Sequence, residues 1–135
     1  MSQTMIRKAL IKAITSVTLG VKLNLPNTPA KTGPEEASGD VAIVWNTPEA
    51  YTLGDNGEDL HTGFMQVLLK FPIGGGDLPT LVASDILRDN FKAGRRKWYL
   101  TQEVVISRCG VGQSEQLDGK YVTPVTIYWY AKTGR

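Results

Sequence analysis

The chain has 135 residues, 15 basic and 13 acidic side chains, a net charge of +2 and 41% hydrophobic residues. This length suits one domain that buries roughly two thirds of its unfolded surface, and the near balance of charge excludes a dedicated nucleic-acid binder, leaving only local contacts with phosphate. A single cysteine, Cys109, excludes an internal disulfide framework and a cysteine-based zinc centre.

The opening stretch MSQTMIRKALIKAIT lacks the small-residue cleavage pattern of a secretory signal, and no run reaches the ~20 apolar residues of a membrane-spanning helix. A soluble, unexported protein is expected. Ile6, Leu10, Ala13, Ile14 and Val17 recur at three- and four-residue steps and predict a first helix, capped by Ser2 or Thr4 and stopped at Gly20. The stretch LPNTPAKTGPEEASGD follows; Pro26, Pro29 and Pro34 break regular structure, which predicts a flexible loop over residues 26–40. Val41 to Asn46 is β-branched and apolar, hence a strand. YTLGDNGEDLHTG, with its Asp-Asn-Gly turn signal, reads as a connection into a long strand from Gly63 to Phe71. In that strand Met65, Val67, Leu69 and Phe71 form the core face, while Phe64, Gln66, Leu68 and Lys70 form a half-polar one.

Asp77 is placed to cap a second helix, with Leu78, Leu81, Val82, Ile86, Leu87 and Phe91 as its apolar side and Gly94 as its stop. Two more strands are predicted, WYLTQEVVIS from Trp98 and KYVTPVTIYWYA from Lys120, joined by the glycine-rich connection RCGVGQSEQLDG. The expected fold is α+β: one domain, with a mostly antiparallel sheet of four to five strands and two helices packed on one face. The last strand is apolar on both faces, Tyr121, Val125, Ile127 and Trp129 alternating with Val122, Tyr128 and Tyr130. A domain of this size has no second layer to cover the other face, so a subunit contact is expected there.

Catalytic motifs find no support. His61, the one histidine, has no carboxylate or nucleophile near it in sequence. GGGD lacks the Lys-Ser/Thr of a phosphate loop, and GVGQSE lacks the third glycine of a dinucleotide fingerprint. DNGED falls short of a twelve-residue calcium loop. No serine sits in a G-x-S-x-G elbow, and Cys109 has no histidine partner in sequence. The reading assigns no catalytic residue, no metal ligand and no cofactor. KAGRRK is the one basic cluster; Arg95, Arg96 and Lys97 complement a helix dipole or meet phosphates.

The order of YTLGDNGEDLHTGFMQVLLKFPIGGGD, a helix containing LVASDIL, then Phe91, Gly94 and a last strand from Gly119-Lys120-Tyr121 resembles the phage tail terminator-like family of small siphophage proteins. The resemblance spans most of the chain. It implies a non-enzymatic virion protein, made in the host cytoplasm, that forms a ring, typically a hexamer, on the head-proximal end of the tail tube. Its implied partners are copies of itself, the major tail tube protein and the head-tail connector, with transient non-specific contact with phage DNA in the pore and none with a membrane. A head-tail connector or other tail-completion protein is the nearest alternative, and an uncharacterised small enzyme is the alternative from another class. On this reading Tyr51, Leu53, Asp55, Glu58 and Asp59, together with Tyr128 and Tyr130, are the candidate assembly interface, and Arg95, Arg96 and Lys97 are candidate pore-facing cations.

Overall fold

The computed structural model describes residues 2–17, 21–25, 37–52, 54, 57–73, 78–117 and 119–134. Helix α1 runs Ser2–Thr15. Ile6, Ala9, Leu10, Ala13 and Ile14 are all buried, the spacing that lines up apolar side chains along one stripe. Hydroxyls bond back onto its last turn: Thr15 donates to the Ile11 carbonyl and Ser16 to the Ala13 carbonyl, each at 2.8 Å, the latter one of the last four acceptors that have no donor within the helix.

Among the described residues, eight strands and a second helix complete the chain: β1 Lys22–Asn24, β2 Ser38–Trp45, β3 Glu49–Ala50, β4 Glu58–Pro72, α2 Leu78–Asn90, β5 Arg96–Tyr99, β6 Gln102–Val111, β7 Glu115–Leu117 and β8 Lys120–Gly134. The strands form one sheet in the order β1-β2-β4-β8-β6-β5, with β3 also on β4 and β7 also on β8. β4 and β8 pair antiparallel along their whole lengths, from Glu58 opposite Gly134 to Pro72 opposite Lys120. They are the spine on which the flanking strands hang.

This corrects the expected fold. In place of a mostly antiparallel sheet of four to five strands there is an eight-stranded mixed sheet curled as half a barrel, with β1 parallel to β2. The reasons are local. β1, β3 and β7 are two or three residues long, too short to display a period of two. WYLTQEVVIS, read as one strand, is the β5–β6 hairpin. It turns at Leu100, whose φ of 53° is a left-handed conformation that leucine seldom adopts. RCGVGQSEQLDG, read as a connection, completes β6 and contains β7. β4 begins five residues before the expected Gly63, and β2 begins three before Val41. Of the expected loop at 26–40, residues 38–40 are therefore strand, while 26–36 lie outside the described residues. So do Gly20 and Asp77, the expected stop of α1 and cap of α2.

The core is one continuous cluster in which Ile6, Leu10, Ile14, Leu87 and Phe91 of the helical layer meet Met65, Val67, Leu69, Val125, Ile127 and Trp129 of the sheet. The faces expected for β4 are the observed ones: Met65, Val67 and Leu69 are fully buried, and Phe64, Gln66, Leu68 and Lys70 are half-buried on the other side. β6 carries a bulge between Ile106 and Arg108. Three residues apart, Ile106 and Cys109 belong on opposite faces of an unbroken strand; the bulge sets them across from Trp129 and Ile127, both on the core side.

The apolar side expected for α2 also needs correction. Its buried residues are Thr80, Ala83, Ser84 and Leu87, whereas Leu78, Leu81 and Val82 are 67%, 51% and 49% exposed. Ala83 and Ser84 are small enough to let the helix lie close on the sheet, and this turns the bulkier stripe outward.

Candidate assembly surface

The helices cover one face of the sheet. On the opposite face, alternation along the strands gathers Leu60, Thr62 and Phe64 of β4 beside Tyr128 and Tyr130 of β8. Phe64 sits across from Tyr128, with ring centroids 5.8 Å apart and planes tilted by 52°. Arg108 is across from Tyr128 on the other side, its guanidinium 4.2 Å from the ring centroid, within cation–π range. A groove of about 610 Å³ crosses this face, lined by Tyr51, Leu60, Thr62, Arg108, Tyr128 and Tyr130 among others.

Tyr51 reaches the groove from the β3–β4 connection, whose ends are tied by backbone. The Tyr51 N–H donates to the Glu58 carbonyl at 2.8 Å, and the Glu58 N–H donates to the Thr52 hydroxyl at 2.7 Å. Above the Tyr51 ring lies the Lys132 ammonium, 3.9 Å from its centroid. The Tyr51 side chain, hydrogen-bonded to Lys132, pushes the lysine pKa up.

Of the seven candidate interface residues, the fold brings Tyr51, Tyr128 and Tyr130 into this one groove. Glu58 and Asp59 stand at the start of β4, opposite Gly134 and Thr133, so the expected connection from Tyr51 to Leu60 is strand in its last three residues. Leu53 and Asp55 lie outside the described residues. The three candidate cations are consecutive at the start of β5, and their side chains have different neighbours. Arg95 is at the corner between α2 and β5, where Gly94 donates to the Ile106 carbonyl and Ile106 to the Arg95 carbonyl, at 2.7 and 2.8 Å. Arg96 pairs with Glu103 at 2.5 Å. Lys97, one residue on, lies 4.8 Å over the Phe91 ring, and burial, followed by the nearby Arg95, lowers its pKa.

His61 and Cys109 lie on strands of the sheet, in β4 and β6. His61 is buried, with Nε2 2.9 Å from the Thr133 hydroxyl. Cys109 is half-buried, and burial pushes its thiol pKa up against the opposing effect of Arg88. Among the described residues no three His, Cys, Asp or Glu side chains converge as a metal site, and no helix is long and apolar enough to cross a membrane. Sequence reasoning missed Arg108 and Lys132. Their place beside the tyrosines depends on strand register and on the β6 bulge, and only the alternation of Tyr128 and Tyr130 was visible beforehand.

A family model for phage tail terminator protein matches residues 5–129 of this chain. A comparison with curated proteins gives no match. One solved structure is similar with a TM-score of 0.79 at 18% identity, covering 97% of this chain and 96% of its own; at that identity the likeness is one of fold.

Proposed function

Since the chain belongs to the phage tail terminator family and so has a structural role in the tail, we propose that it closes into a ring of identical subunits, a hexamer, on the head-proximal end of the tail tube. One side of the ring meets the last ring of tube protein and ends polymerisation. The other side receives the head connector. No reaction belongs to this role; its mechanism is the matching of surfaces, and contacts between unlike faces close into a ring when the rotation per subunit divides a full turn.

The observation that carries the reading is the aromatic sheet face with Tyr128 and Tyr130, which neither helix covers. Contiguous apolar patches of this kind on small proteins mark contact surfaces. Light scattering across a concentration series tests it: the wild-type protein is expected at a multiple of its 14.8 kDa chain mass, alone or once tail tubes are added. Replacing Tyr128 and Tyr130 with Ser is expected to leave the circular-dichroism spectrum intact and weaken association at least about thirtyfold, as loss of aromatic hot spots does. A folded double variant with wild-type mass would remove this face from the ring contact.

A further inference from the structure

We propose that protomers join edge to edge, with β5 of one running parallel beside residues 41–45 of β2 in the next. This rests on the ring reading above and adds which edges meet. β1 and β5 are the outer strands of the sheet, and each covers only part of its neighbour. β1 lies beside Ser38, Gly39 and Asp40, so among the described residues no strand lies beyond 41–45 of β2. β5 lies beside residues 102–105, so none lies beyond 107–111 of β6. The two open stretches are level with each other across the sheet, as the row Val44, Phe64, Tyr128, Arg108 marks. β1 projects to one side of that level and β5 to the other, which makes the two edges complementary steps. Open strand edges are templates for pairing with another strand.

Sliding the neighbour by four residues along the strands, about 13 Å, seats both steps at once. Its β1 then fills the open stretch of β6, antiparallel, with Leu23 opposite Cys109, while β5 fills its open stretch of β2, with Lys97 opposite Ile43. Main-chain phases agree with this register. Asn46 donates to the Thr62 carbonyl, so residues 41, 43 and 45 turn their N–H and C=O groups away from β4. Ile106 donates to the Arg95 carbonyl, so Arg96 and Trp98 turn theirs outward. Ile43 can therefore donate to the Arg96 carbonyl and accept from the Trp98 N–H. Gly112 donates to the Pro124 carbonyl, which turns Cys109 outward to meet Leu23. Side-chain faces agree as well: Ile43, Lys97 and Cys109 stand opposite Met65, Val104 and Ile127 of the core, whereas Val44 and Trp98, 42% and 50% exposed, come side by side on the tyrosine face. An odd slide breaks both agreements. The two edges lie at opposite ends of one sheet and cannot meet within a chain. Between chains they join unlike surfaces, which closes into a ring, and the repeated slide is taken up as strand tilt, as in closed barrels.

Cross-linking tests this register. In a Cys109→Ser background, Val44→Cys with Trp98→Cys places thiols on directly opposite residues of adjoining protomers, within disulfide reach. Oxidation, of the protein alone or on tail tubes, is expected to give a ladder at multiples of the 14.8 kDa chain mass on non-reducing electrophoresis. Val44→Cys with Lys97→Cys puts the thiols on opposite faces and is expected to give none. Independently, Trp98→Pro removes an outward N–H that the fold of one chain does not use and is expected to weaken association at least about tenfold more than Trp98→Ala, both keeping the wild-type circular-dichroism spectrum. Rings in which the matched pair gives no ladder, or the mismatched pair gives an equal one, or Trp98→Pro associates as Trp98→Ala does, overturn this contact and leave the ring reading standing. A wild-type protein that stays monomeric even with tail tubes overturns both.

Discussion

Gly63 sits at the crossing of three strands, opposite Trp45 on β2 and Trp129 on β8. With no side chain between them, the two indoles meet edge to face, centroids 5.2 Å apart at 77°. A Cβ at this position falls 2.9 Å from Trp129 Cζ2 and nearer still to the Val44 carbonyl. Gly63→Ala is therefore expected to destabilise by about 3 kcal/mol, the upper end for overpacking. The reading is a lowered urea midpoint at unchanged slope; an unchanged midpoint contradicts it. Asp40 is a polar counterpart on the sheet surface. Burial raises its carboxyl pKa, but hydrogen bonds from Lys70 and Asn24 outweigh this and hold it below the ordinary 3.8; the Lys70 ammonium is 2.7 Å away. A carboxylate whose pKa falls on folding contributes stability above its unfolded value and loses it as pH drops through its folded value. Asp40→Asn is expected to cost at most about 1 kcal/mol at pH 7, since the pair is partly exposed. Wild type and variant should converge in strong acid, and a gap that persists unchanged there rules out this origin.

At the scale of elements, the β5–β6 hairpin holds a left-handed leucine. Leu100 is 76% exposed, so little burial offsets a conformation that costs roughly 1–2 kcal/mol for an ordinary side chain. Leu100→Asn is expected to raise the melting temperature by a few degrees, through relief of about 1 kcal/mol; a lower melting temperature contradicts the assignment of strain. The same residue shows why part of the fold was hidden in the sequence. Turns are read from Gly, Pro, Asn and Asp, and WYLTQEVVIS contains none of them. Where a period runs long, the reading succeeds: the alternation from Met65 to Leu69 and from Val125 to Trp129 marks the two central strands and their buried faces. Helix α2 exposes the limit of periodicity. It carries one apolar stripe through Ala83, Leu87 and Phe91 and another through Leu78, Leu81 and Val82. Spacing merges Leu78, Leu81, Val82, Leu87 and Phe91 into one apolar side and cannot say which of them the sheet covers. The candidate site was legible to a similar degree, since Tyr128 and Tyr130 follow from alternation while Arg108 reaches them only across a long-range pairing set by a bulge.

For the molecule as a whole, the helices and one sheet face enclose the core, and the tyrosine-lined groove opens on the other face. The basic corner at Arg95, Arg96 and Lys97 is peripheral to that surface, and two of its charges are engaged by Glu103 and Phe91. Replacing all three with Gln is expected to leave ring mass unchanged and lower salt-sensitive DNA binding, as loss of phosphate contacts does. Loss of the ring instead assigns these side chains to a subunit contact. Electron microscopy of tubes polymerised with and without the protein tests whether this chain ends a tail tube by closing a ring on it. Added protein is expected to shorten the tubes to a defined length and to leave a ring on one end only. Tubes of unchanged length with both ends bare, at protein concentrations well above that of tube ends, contradict it.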